Sequence, residues 1–164
     1  MTIFLCGFMG CGKTTVGKLL AKKLGLPLID TDAFLVEQEG KSIPEIFAEN
    51  SEPYFREKEA AAIRTLRKKS AVISCGGGAM LRQDSAEAAK ETGKVVLLDI
   101  PFEVCYERIQ DDTNRPIVQQ NTKEQLEAIF NERATIYRAN ASFSVSADGS
   151  PLEVAERIIK AVKA

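Results

Sequence analysis

Eight residues near the start of the chain, Gly7-Phe-Met-Gly-Cys-Gly-Lys-Thr14, fit the pattern G-x-x-x-x-G-K-[ST]. The match constrains the fold through its surroundings. An apolar run at residues 2–6 precedes it and a helix-forming run at 13–24 follows, so the loop must join the end of a strand to the start of a helix. Glycines let successive backbone N–H groups turn inward, and the helix start adds its partial positive charge, which together make a cradle for phosphate. Lys13 is suited to bridging the outer phosphates of a nucleoside triphosphate, and Thr14 to offering its hydroxyl to Mg²⁺. Gly10, Cys11, Gly12 and Thr15 complete the expected contacts to the nucleotide. A tight turn that binds nothing would need one glycine, not three beside a Lys-Thr pair.

The rest of the chain repeats the order of strand and helix. Apolar runs at 2–6, 26–29, 71–74, 94–98 and 142–145 are mostly continuous, as in strands covered by helices on both faces of a parallel sheet. Helix-like segments lie at 13–24, 32–39, 43–49, 53–69, 83–92, 102–110, 123–140 and 152–161. The alternation predicts a three-layer α/β fold. A chain of 164 residues, 45% apolar, fits one domain over 1–164 with a real core. No run approaches the roughly 20 apolar residues that span a bilayer, and the start lacks the basic region and cleavage signal of a leader. A cytoplasmic location with no membrane association is expected.

Composition narrows the chemistry. The chain has no histidine, which excludes a Ser-His-Asp triad, and its four cysteines, Cys6, Cys11, Cys75 and Cys105, show no paired spacing for zinc. Any reaction must run on Asp, Glu, Lys, Arg, backbone amides or a bound cation. Net charge is −1 with acids and bases interspersed, which gives no argument for nucleic acid as a partner. Neither D-x-x-G after a further strand nor N-K-x-D is visible, which disfavours guanine nucleotides.

Further candidates fall where open α/β sheets bind ligands, at the C-terminal ends of the strands. Asp30 and Asp32 follow the second strand; if the segment is extended, both side chains point the same way, one toward Mg²⁺ and the other toward an acceptor hydroxyl. Asp32 is also a candidate helix cap. Gly76-Gly77-Gly78 follows the third strand, and three glycines in a row cost enough backbone entropy to suggest close approach by a ligand, with a flexible connection as the alternative. Arg56 and Arg133 read equally well as surface residues or as cations facing the acceptor. The polar stretch Asp111-Asp-Thr-Asn-Arg115-Pro116 suits a lid that excludes water and brings Arg115 to the transferring phosphoryl group. Cys11, beside Lys13 and a helix start, is expected to favour its thiolate, so that alkylation blocks nucleotide binding and ATP protects.

Taken together these segments resemble the shikimate kinase family: GFMGCGKTTVG as the phosphate loop, DTD after the second strand, FREKE, CGGGA, NRPIV, RATIYRANA and the tail VSADGSPLEV, in the family's order over nearly the whole chain. The resemblance implies a P-loop kinase fold with a five-stranded parallel sheet, order 2-3-1-4-5, helices on both faces, an acceptor-binding helical region at about 32–62 and a lid at about 110–121. It implies ATP and Mg²⁺ as cofactors, shikimate as acceptor, a place in aromatic amino-acid biosynthesis and a monomeric state. By the same resemblance Asp32 holds the shikimate hydroxyls, Asp30 lies near Mg²⁺, Arg56 and Arg133 grip the carboxylate, and Gly77 and Gly78 contact the same substrate. Arg115 is the lid arginine, Arg108 and Ser150-Pro151 fall on the adenine side, and Glu59 supports the acceptor region. Kinases of the same fold acting on gluconate or a nucleoside monophosphate are the alternative.

Overall fold

The strand that leads into the phosphate loop lies at the centre of the molecule. In the computed structural model, which describes residues 1–113 and 115–164, β1 (Thr2–Cys6) is buried along its whole length. Asn114, part of the expected lid motif, lies outside the described residues. The described residues form one five-stranded sheet with β2 (Leu28–Asp30), β3 (Ala71–Ser74), β4 (Lys94–Asp99) and β5 (Phe143–Ser146). The order is β2-β3-β1-β4-β5 and every pairing is parallel, as expected.

The helices are α1 (Lys13–Leu24), α2 (Thr31–Glu39), α3 (Ile43–Glu49), α4 (Glu52–Leu66), α5 (Gln83–Thr92), α6 (Phe102–Ile109), α7 (Pro116–Gln119), α8 (Lys123–Asn140) and α9 (Pro151–Lys163). A 3-10 turn occupies Ala79–Leu81. The two-residue period of β1 divides the core into layers. Ile3 and Leu5 pack on one face with Val16 and Leu20 of α1, Cys105 of α6 and Ile158 of α9. Phe4 and Cys6 pack on the other with Ile63 of α4, Ala86 of α5 and Tyr137 of α8. Each large aliphatic or aromatic side chain withdrawn from water in this way contributes about 1.5–3 kcal/mol. A smaller cluster, Leu35, Ile46, Phe55 and Ala62, holds α2, α3 and α4 together away from the sheet.

Most boundaries fall within one to three residues of the sequence-based expectation, and three of the differences have a clear local cause. Leu26 does not open the second strand: its N–H returns to the Ala21 carbonyl at 2.9 Å while Gly25, at φ 66°, closes α1. Pro27 has no N–H, so the ladder begins with Leu28 opposite Val72. The second helix starts one residue early, at Thr31, because Asp30 caps it. Within the expected lid, Pro116 starts the short helix α7, in keeping with the preference of proline for a first turn. No described helix is long and apolar enough to cross a membrane.

Because β1 lies between β3 and β4, the chain leaves it toward β2 on one side and later returns to β4 on the other. Loops at this switch of direction diverge and open a crevice beyond the strand ends.

Candidate active site

The crevice is an open cleft of about 540 Å³. Its floor is the loop from Gly7 to Gly12. Gly10 and Gly12 have φ of 82° and 99°, which glycine adopts without strain. At Gly10 a side chain is also excluded sterically, since a methyl carbon would stand 2.9 Å from the Cys105 carbonyl oxygen. Lys13 lies over the loop, its Nζ donating to the Gly7 carbonyl at 2.7 Å. Thr14 and Thr15 are exposed at the start of α1 and line the cleft with Gly10, Gly12 and Lys13. Arg108 reaches across from α6 and donates to the Gly10 carbonyl at 2.8 Å. Arg115 also lines the cleft; its Nε donates to Asp112 at 2.8 Å.

The expectation for Cys11 is corrected. Although Cys11 borders the cleft, it is only 2% exposed and its side chain belongs to the core layer with Val16, Cys105 and Ile109. A loop that turns its N–H groups toward one side turns this side chain toward the other. A thiol so enclosed is shielded from an alkylating reagent however close Lys13 lies, and Sγ is 3.7 Å from Lys13 Nζ. The neighbouring thiols of Cys6 and Cys105 are each pushed up to about 12, chiefly by burial.

The two acids are not arranged as in one extended strand. Asp30 ends β2 and is the cap of α2, its Oδ1 accepting from Ala33 N–H at 3.0 Å, whereas Asp32 lies in the first helical turn. Asp30, and not Asp32, therefore does the capping, and the chain turns between them; both still line the cleft. Burial raises the Asp32 carboxyl above its ordinary value, with the charge of Asp30 adding to the rise and Lys13, Arg56 and Arg115 opposing it.

The triple glycine brings the acceptor-side residues together. A methyl on Gly76 would come within 2.7 Å of Asp32 Oδ1; one on Gly77 would lie 3.6 Å from Arg133 Nη1; one on Gly78 would overlap the Arg56 guanidinium. Each glycine thus has one functional side chain against its open face. Arg56 is paired with Glu59 at 3.0 Å and more loosely with Glu52 at 3.6 Å. Glu59 is 4% exposed; burial raises its pKa and the neighbouring Arg56 opposes the rise.

Asp32, Gly77 and Arg133 line the cleft; Arg56 and Gly78 do not, although the Arg56 guanidinium lies against the open face of Gly78. Ser150 does not line it: its hydroxyl accepts from Glu153 N–H at 3.2 Å and caps α9, leaving Pro151 at the cleft edge. Gly76, Ala147, Gly149 and Val154, to which the sequence assigned no individual role, also line the cleft. Gly76 carried a signal as the first of three glycines; the other three have none beyond lying beside Ser150-Pro151.

A phosphate cradle between a central strand and a helix, facing acids and arginines across one cleft, defines a P-loop kinase with a small acceptor. A family model described as Shikimate kinase matches residues 9–163, and the chain belongs to that family. It is 42% identical to a shikimate kinase of Persephonella marina over 98% of both chains. The shikimate kinase structure from Aquifex aeolicus superposes with a TM-score of 0.87 at 38% identity, covering 99% of this chain and 96% of that one. The Acinetobacter baumannii enzyme in complex with shikimate gives 0.90 at 34% identity, covering 99% and 92%. A gluconokinase from Sinorhizobium meliloti shares the fold at 20% identity, with a TM-score of 0.61 over 99% of this chain and 91% of that one.

Proposed function

We infer that the chain transfers the γ-phosphoryl group of ATP to the 3-hydroxyl of shikimate, giving shikimate 3-phosphate and ADP. Beyond family membership, the convergence of Asp32, Arg133 and Arg56 on consecutive glycines, across the cleft from Lys13, carries the reading. Shikimate is a small anionic triol. Arginines suit its carboxylate, and an acid suits its hydroxyls, so such a set fixes which oxygen faces the nucleotide.

The residue roles follow from this placement and are part of the proposal. Backbone N–H groups of Gly10 and Gly12 cradle the phosphates with Thr15, Cys11 shapes the loop between them through its N–H bond to the Phe8 carbonyl at 3.1 Å, and Lys13 and Arg115 neutralise charge that builds on the transferring group. Asp32 orients the acceptor hydroxyl and takes its proton late; its raised pKa suits that exchange. Arg133 and Arg56 hold the carboxylate, Glu59 keeps Arg56 extended, and Gly77 and Gly78 allow the ring to approach. Arg108 and Pro151 flank the adenine, with Ser150 acting through the helix cap.

The donor set fits Mg²⁺. Thr14 offers an exposed hydroxyl and Asp30 a carboxylate whose Oδ1 alone is taken up by the cap, which matches an ion held mainly by phosphate oxygens and water. When bound, the ion supplies charge neutralisation at the outer phosphates.

One kinase domain over 1–164, with the acceptor region at about 32–62 and the lid at about 110–121, is the working division of the chain. A cytoplasmic monomer that binds neither nucleic acid nor membrane is the proposed state. The exposed larger apolar side chains, Met1, Val36, Phe47 and Leu152, belong to separate segments, which supports it.

The test is ADP release from ATP-Mg²⁺ with shikimate, gluconate or nucleoside monophosphates as acceptor. Stimulation by shikimate alone, with shikimate 3-phosphate as product, is expected. A response only to another acceptor removes the assigned roles of Asp32, Arg56 and Arg133.

A further inference from the structure

The three acceptor-side residues come from three different helices, yet each must stand at a fixed distance from one small molecule. The common reference between them is the glycine loop, the segment with the least intrinsic stiffness in the cleft. What fixes that loop therefore fixes the acceptor site.

Its backbone groups are held by specific partners. Gly76 N–H donates to the hydroxyl of Thr31 at 2.8 Å, and Thr31 is completely buried. The Gly76 and Gly78 carbonyls accept from Ala79 and Leu81 N–H, each at 3.2 Å, within the 3-10 turn. The Gly77 carbonyl accepts from the Tyr137 hydroxyl, on a side chain 2% exposed. Asn140 Nδ2 donates to the Met80 carbonyl at 2.9 Å, and Arg82 ties the far end of the loop to Glu57 of α4 at 2.8 Å.

Two of these contacts pair with the acceptor residues one for one. Thr31 is the immediate neighbour of Asp32, and it holds Gly76, the glycine against which Asp32 lies. Tyr137 stands one helical turn beyond Arg133, and it holds Gly77, the glycine against which Arg133 lies. Packing alone requires neither hydroxyl. Valine has nearly the shape of threonine, and the Tyr137 ring lies among Phe4, Ile73 and Leu97, where phenylalanine would pack as well.

We propose that Thr31 and Tyr137 are positioning residues of the acceptor site: each hydroxyl anchors the glycine beneath its neighbouring functional side chain, setting where Asp32 and Arg133 meet the acceptor. The proposal rests on the shikimate reading above. Removing either hydroxyl leaves a half-buried glycine amide or carbonyl without its partner, and the loop relaxes to find another. Asp32 or Arg133 then shifts relative to the acceptor. The phosphate loop, fastened to a different strand end, is untouched.

The experiment is steady-state kinetics on Thr31→Val, Tyr137→Phe and Thr31→Ser beside the wild type, with shikimate and ATP-Mg²⁺ varied separately and thermal unfolding recorded. Thr31→Val and Tyr137→Phe are each expected to raise the shikimate KM on the order of tenfold while the ATP KM stays within about twofold, the size of effect expected for one lost hydrogen bond. Thr31→Ser, which keeps the hydroxyl, is expected to stay near the wild-type shikimate KM. Should one variant fail to fold, the other carries the test alone. An unchanged shikimate KM in the folded variants overturns the positioning roles, as does a rise in both KM values that follows only the loss of thermal stability. Wild-type protein without turnover on shikimate overturns the functional reading beneath them, a result distinguishable from either.

Discussion

The two sides of the cleft are built in opposite ways. The phosphate side is one continuous stretch, residues 7–15, in which backbone groups and a helix start do the binding. The acceptor side gathers single side chains from α2, α4 and α8 onto a glycine loop, so its geometry depends on tertiary packing. On the phosphate side a glycine is needed for its own conformation and for what its neighbours' backbone leaves free. On the acceptor side a glycine is needed because a functional side chain occupies its place. The first kind of site tolerates little change; the second can be adjusted residue by residue.

The contrast is testable, beginning with the largest effect. Lys13→Ala is expected to lower turnover about 100-fold or more, through loss of charge stabilisation on the transferring group; single-turnover rates at saturating ATP measure it, and wild-type rates would remove Lys13 from that role. The same Gly→Ala change should then behave differently on the two sides. Gly10→Ala meets the Cys105 carbonyl and a φ of 82°, so it should destabilise the protein by about 1–3 kcal/mol and weaken ATP binding. Gly78→Ala meets only the movable end of Arg56. It should leave thermal stability nearly unchanged while raising the shikimate KM on the order of tenfold, as expected for one displaced charge-assisted contact. Equal effects of the two changes on stability and on both KM values would erase the distinction.

A smaller effect concerns Asp32. Its carboxyl is raised in the folded protein by burial, so the folded state binds that proton more tightly than the unfolded chain. Stability from this group is therefore lost as pH rises from the ordinary carboxylate range through the raised value, and stays lost above it. Asp32→Asn should raise the melting temperature at neutral pH, with the gain fading as pH falls below the ordinary carboxylate range. Melting curves across pH decide it; an equal gain at all pH would indicate packing in place of charge. Smallest is Cys11→Ser, which places a hydroxyl in the core and should cost about 1–2 kcal/mol of stability. The ATP KM should hardly move, and a large rise would return the Cys11 side chain to the nucleotide site.

These differences explain what was readable from sequence. The strand–helix alternation and the phosphate loop follow from contiguous patterns, since the chemistry of Gly7 to Thr14 is local, whereas the sheet order comes from the family resemblance. Arg56 and Arg133 carry no local signal, because an arginine in a polar helix looks the same on either face; the family's motif order, not residue spacing, distinguished them. Asp30 and Asp32 were misassigned as an extended pair because the cap that bends the chain belongs to the first acid. Cys11 was misread because chemical neighbours were visible in the sequence and side-chain direction was not. Thr31 and Tyr137 are legible only once Gly76 and Gly77 are seen to need anchors.

The small cluster of Leu35, Ile46, Phe55 and Ala62 has a consequence for how the protein breathes. Phe34 and Thr31 tie α2 to the sheet side as well, so α3, whose packing closes within the helical segment, can open while α2 and the central sheet stay in place. Amide protons of α3 should then exchange with solvent well before those of β1, whose release awaits global unfolding. Admission of the acceptor can thus draw on a locally soft segment while the grip on nucleotide stays tied to the stiffest part of the chain.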